Sequence, residues 1–167
     1  MRWIWIDRFV EFESGRRAVA TKNVTLAEEH LHDQFPAYPI MPASLIIEGM
    51  AQTAGILVGE ARQFAEKVIL AKIRRASFNG LVRPGQQLRY EATIDTITEQ
   101  AAQISGTVYC DGKELGRIDL MFSHIDNNMS GLDFPEENFV FTEDFKSLLR
   151  MYQIDVSPKA GGSPPDA

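Results

Sequence analysis

Cysteine is nearly absent: the 167 residues hold one, Cys110. A single thiol makes neither an internal disulfide nor a CxxC metal or redox motif. Long apolar runs are missing too, and none approaches the roughly 18 residues that suggest a bilayer span. No membrane span is therefore expected. The opening Met1-Arg2-Trp3-Ile4-Trp5-Ile6-Asp7 is too short and too soon charged for a secretory signal, so the expected location is the cytoplasm. There is no Gly-rich phosphate loop, and His30 and His32 with Glu28, Glu29 and Asp33 match no standard metal spacing. No nucleotide, flavin or metal cofactor is expected. A positive charge excess is lacking as well. The 17 basic and 23 acidic residues give a net −6, a sign that disfavours bulk nucleic-acid binding.

What is present is a globular chain the size of one domain, 44% hydrophobic and 24% charged. Its charge is uneven. Residues 60–89 carry seven basic side chains against Glu60 and Glu66, a net +5 that leaves −11 for the remainder. Such a segment can attract an anionic partner; a solvated strand face is the alternative.

Apolar alternation predicts strands over 3–13 and 16–25, with a turn at Ser14-Gly15. Residues 26–41 read as a loop holding two of the three histidines, and a loop of that length in a compact domain is uncommon without a function. Pro42 then suits a helix start. The segment that follows, to Arg62, is apolar almost all round, which marks a buried helix. Its small residues Gly49, Ala51, Ala54, Gly55 and Gly59 predict close packing by a neighbour. Strands return over 67–78, 86–98, 102–110 and 114–125, the last two flanking Asp111-Gly112, a strong hairpin signal. Two strands, one helix and four strands fit an α+β fold, an antiparallel sheet wrapped round one long central helix. The core domain is placed at 1–125. An extension over 126–152 has a short amphipathic helix after Thr142, and a Pro/Gly/Ser-rich tail at 153–167 reads as disordered.

Glu48 lies in the second turn of the apolar helix. An ionised carboxylate there should be paired, protonated or facing a pocket, because burial without a partner is costly. The free backbone N–H groups near Ala43 and Ser44 can polarise a carbonyl oxygen. A carboxylate beside such donors suggests acid/base or acyl chemistry on a carbonyl compound. Glu48 facing solvent or a dimer partner is the open alternative.

The stretch Gln34-Phe-Pro-Ala-Tyr-Pro-Ile-Met-Pro-Ala-Ser-Leu-Ile-Ile-Glu-Gly-Met-Ala-Gln52 resembles the signature of bacterial (3R)-hydroxyacyl-acyl-carrier-protein dehydratases, roughly H-F-P-x-x-P-V-M-P-G-x-L-x-x-E-A-x-A-Q. Ile6-Asp7-Arg8, Val19 to Thr25 and Phe78 to Leu88 extend the likeness, which runs to Ile125. The resemblance implies a hot-dog fold, a homodimer or assembly of dimers, and acyl thioester substrates in fatty-acid or related lipid or polyketide synthesis. It implies a site shared between subunits, with a histidine handling the Cα proton and a carboxylate helping the β-hydroxyl leave as water. By position the acid is Glu48, the helix glutamine Gln52, and the glycine whose N–H polarises the thioester is Ala43. Phe35 and Met41 are further substrate-binding candidates.

The family's histidine falls on Gln34, and a neutral amide cannot act as the usual base. Altered catalysis is therefore expected. His32, two residues earlier, is the candidate substitute if the loop is rearranged; in an extended segment it would point the same way as Gln34. Two rivals stand beside a dehydratase: a hot-dog thioesterase using Glu48 with Gln34, and a non-catalytic subunit of a hetero-oligomer. The implied carrier is acyl carrier protein or coenzyme A. An acidic carrier protein would dock on the basic segment, with Arg74, Arg75 and Arg83 the candidate contacts.

Overall fold

The computed structural model describes residues 4–125 and 142–151. Six strands form one antiparallel sheet: β1 (Arg8–Glu13), β2 (Arg17–Asn23), β3 (Val68–Phe78), β4 (Gln87–Ile97), β5 (Ala101–Cys110) and β6 (Lys113–His124). Their order across the sheet is β1-β2-β4-β5-β6-β3. Between β2 and β3 the chain makes α1 (His30–Asp33) and α2 (Ala43–Ala61); α3 (Glu143–Met151) follows after Thr142. The sheet packs round α2, the hot-dog arrangement that the sequence pattern implies. The disordered-tail expectation, and 126–141 of the extension, lie outside the described residues.

Local chemistry accounts for the elements. Asp111 and Gly112 take φ of 48° and 80°, the left-handed pair that a two-residue hairpin of matching twist requires. The Asp111 carboxylate then accepts from the Gln87 backbone N–H at 2.9 Å, tying the hairpin to β4. On α2, Leu45, Ile46, Met50, Ala54, Leu57 and Val58 are buried, while Ser44, Glu48, Gln52 and Gly55 form a less buried stripe along one face. The close approach read from its small residues is real at Gly49, where an added Cβ would lie 2.5 Å from the Tyr90 ring on β4. That contact draws the second turn of α2 against the sheet. Leu149 of α3 joins the same core.

Two details differ from the sequence reading. The first strand begins at Arg8, not at residue 3. The alternating Trp and Ile residues look strand-like, but the Trp5 N–H donates to the Gln52 side chain at 2.8 Å rather than to a ladder. The 26–41 loop also contains α1, a single turn too short to show a hydrophobic period. Among the described residues no helix is long and apolar enough to cross a membrane.

Candidate active site

A cavity of about 970 Å³ lies at the N-terminal end of α2. Ile4 and Trp5 line it from the leading segment, and Pro42, Ser44 and Leu45 from the start of the helix. The remainder of its lining comes from Glu28, Glu29, His30, Asp33 and Gln34, the segment containing α1. At the helix end the Leu45 and Ile46 N–H groups both turn to the Pro42 carbonyl, at 3.0 and 3.2 Å. The Ala43 and Ser44 N–H groups precede any carbonyl that the helix can offer and are the donors available to an acyl oxygen. Both residues are exposed.

Gln34 lines this cavity, as the motif implied. His32 does not. The extended geometry assumed for it is replaced by α1, where residues two apart point to different sides. His32 is exposed, with Nε2 2.6 Å from the Leu26 carbonyl oxygen. The histidine that does line the cavity is His30, which in the sequence stands out only as part of a cluster that matches no metal spacing. Its four-residue spacing from Gln34 was the available signal, usable only if 30–34 is read as helical.

His30 sits in a built environment. The Trp5 ring meets it edge-on, with centroids 5.0 Å apart. Burial, the largest influence, pushes its pKa below the ordinary imidazole value; Glu28 pulls it up and Lys22 pushes it further down. Lys22, on β2, is itself almost fully buried and pairs with Glu28. Its ammonium also donates to the Asn23 carbonyl at 3.2 Å and lies 6.0 Å from the Trp5 ring centroid.

Glu48 is half-buried on α2 and is not part of its own chain's cavity lining. Gln52 Nε2, one turn on, donates to Glu48 Oε1 at 3.0 Å. The Gln52 amide thus joins Glu48 to the Trp5 backbone. The pairing of Gln34 with Glu48 that a thioesterase would use is not formed within one chain.

Of the other expected residues, Met41 is buried, its N–H donating to the Val82 carbonyl at 2.9 Å. Phe35 is exposed, and neither lines the cavity. Arg83 is tied to the same loop: it donates to the Tyr38 hydroxyl at 2.9 Å and stacks 5.0 Å from that ring's centroid. Arg74 and Arg75 stand exposed on β3, where Arg74 donates to Gln103 at 2.6 Å.

Residues 3–118 match the family model of the FabA-like domain. The 3-hydroxyacyl-[acyl-carrier-protein] dehydratase FabZ of Caldanaerobacter subterraneus subsp. tengcongensis is 39% identical over 121 residues, 72% of this chain and 86% of its own. Among solved structures, the dehydratase heterocomplex ApeI:P from Xenorhabdus doucetiae has a TM-score of 0.62 at 17% identity, covering 73% of this chain and 83% of that one. A hypothetical thioesterase from Streptococcus pneumoniae, solved with coenzyme A, has a TM-score of 0.57 at 8% identity over 70% of this chain and 84% of that one. At such identities the two structures share the fold alone, and one fold hosts several chemistries.

Proposed function

The chain belongs to the FabA-like domain family, and from that premise we propose that it dehydrates 3-hydroxyacyl thioesters carried on acyl carrier protein, in fatty-acid or related lipid or polyketide synthesis. The observation that carries the reading is the placement of the 34–52 motif. Gln34 and Ser44, at the head of α2, line one cavity with Ala43 beside it in sequence, while Glu48 lies on the same helix outside that lining. The purified chain should hydrate an enoyl thioester and release no thiol from a saturated acyl thioester. Thiol release without hydration would favour the thioesterase.

The reading needs a second copy, whose Glu48 completes the cavity. Support for pairing comes from β3, an edge of the sheet with Leu70 and Ile73 37% and 46% exposed. A long edge strand with exposed apolar side chains is a template for another strand. Replacing both Leu70 and Ile73 by Asp should turn a dimer into a monomer in sedimentation velocity and abolish turnover. A variant that stays dimeric and active would place the interface elsewhere. Stable pairing only with a histidine-bearing homologue would favour the hetero-oligomer instead.

An acidic carrier protein would be held by Arg83, with Arg74 and Arg75 along the edge. Arg83 is the one bound to the site loop through Tyr38. Reversing its charge, Arg83→Glu, should raise KM for the carrier-protein substrate about tenfold, of the order of one lost charge pair. The coenzyme A thioester should be little affected. Equal losses on both substrates would mean that Arg83 serves the pocket rather than docking.

A further inference from the structure

We propose that His30 is the base of this site, its imidazole taking the Cα proton in the place where Gln34 offers no titratable group. The inference rests on the dehydratase reading and deepens it.

Position decides first. The Gln34 N–H donates to the His30 carbonyl at 3.2 Å, so α1 and its cap form one helical turn. Residues four apart on such a turn share a face, and both line the cavity. The other histidines do not compete. His32 is exposed at the Leu26 carbonyl, and His124 is fully buried against Glu66 on the β6 side. A base is needed at this point because dehydration must break a Cα–H bond, and an amide nitrogen accepts no proton at neutral pH.

The surroundings suit the role. Trp5 fixes the ring edge-on. His30 Nε2 is shut off from solvent, has no hydrogen-bond partner among the described residues and lies 3.9 Å from Glu28 Oε2. A carboxylate on that side favours the tautomer with hydrogen on Nε2, which leaves Nδ1 as the acceptor. Burial keeps the resting ring neutral near pH 7. The imidazolium formed in the reaction then gains Glu28 as its counter-charge.

The step balances. The Cα–H proton goes to His30 Nδ1, and the bond's electron pair forms the Cα=Cβ double bond. The Cβ–O bond breaks, and the departing oxygen takes a proton from the Glu48 carboxyl of the partner subunit and leaves as water. Transfer of the His30 proton back to that carboxylate resets the site.

The test compares the wild-type chain with His30→Gln, His32→Ala and the double variant His30→Gln/Gln34→His on a 3-hydroxyacyl thioester. His30→Gln is expected to lose about 10²-fold or more in kcat, the usual size of an acid/base contribution, with KM little changed. The double variant should recover part of that loss by restoring an imidazole on the same face. A wild-type rate in His30→Gln, or a loss confined to His32→Ala, overturns the inference while the dehydratase reading stands. A wild-type chain with no turnover of hydroxyacyl or enoyl thioesters overturns the reading itself.

If His30→Gln does not fold, the pH profile of the wild-type chain carries the test. The groups around His30 are Glu28, Glu29 and Asp33 on its own segment and Lys22 on β2, while α2 contributes the uncharged Pro42, Ser44 and Leu45. The acid limb of kcat/KM should lie below the ordinary imidazole value of about 6.5. Its absence overturns the inference.

Discussion

Glu48→Gln is expected to cut turnover of a 3-hydroxyacyl thioester by about 10² to 10⁴-fold, the span of a lost general acid. The structure explains why this loss should be catalytic rather than structural. Gln52 Nε2 donates to Glu48 Oε1, and the amide oxygen of a glutamine can accept the same bond. The half-buried position tolerates a neutral side chain of equal size. The relay from Gln52 to the Trp5 N–H is then kept, so the melting temperature should hold. Glu48→Ala is the harsher variant. It removes the hydrogen bond that Gln52 Nε2 gives to Glu48 Oε1, a loss of about 1 kcal/mol, and should be equally inactive. A Glu48→Gln chain that keeps wild-type kcat would remove the carboxylate from the mechanism.

The second large effect is on stability. Gly116→Ala is expected to cost about 3 kcal/mol or more, at the upper end of overpacking losses. The pairing of β6 with β3 sets Phe78 opposite Gly116. An added Cβ there would stand 2.0 Å from the Ser77 carbonyl oxygen and 3.0 Å from the Phe78 Cα. Both are backbone atoms and cannot swing aside, so the two strands must part. For a chain of this size that is a fall of roughly 6–12 °C in Tm. Gly80→Ala is the control, because its Cβ meets only a Leu115 methyl at 3.6 Å. It should melt within about 2 °C of the parent, the range of a mild surface change. Equal melting of both variants would show that the β3–β6 register is wrong. A parted β3 would also disturb the edge proposed for dimer contact, so activity should fall with stability.

Much of this architecture is legible in the chain. The period-two segments from 67 to 125 and the Asp111-Gly112 turn name the last four strands, because half-buried strands must alternate. The all-apolar helix with Glu48 inside it names the centre. The helix's small residues foretell contact with the sheet, and Tyr90 against Gly49 is that contact. What sequence reading misses is short or set by distant partners. One turn of helix at 30–33 has no period to detect, and treating it as extended puts His32 beside Gln34. As a helix it puts His30 there instead. Trp5 is likewise strand-like by composition, yet a side chain 47 residues away takes its N–H. The burial of Lys22 and its pairing with Glu28 depend on where the segment leading into α1 brings Glu28 beside β2, which no local pattern announces.

In the proposed mechanism one reaction centre joins the cavity of one copy to the acid of another. A crystal structure of the chain with a stable 3-hydroxyacyl thioester analogue tests it most directly. The acyl chain is expected in the cavity at the head of α2, its carbonyl oxygen toward the Ala43 and Ser44 N–H groups. The Glu48 carboxyl of the partner subunit should then lie within about 2.6–3.2 Å of the 3-hydroxyl. An analogue bound with both Glu48 side chains turned to bulk solvent, or bound wholly within a single copy, would contradict it.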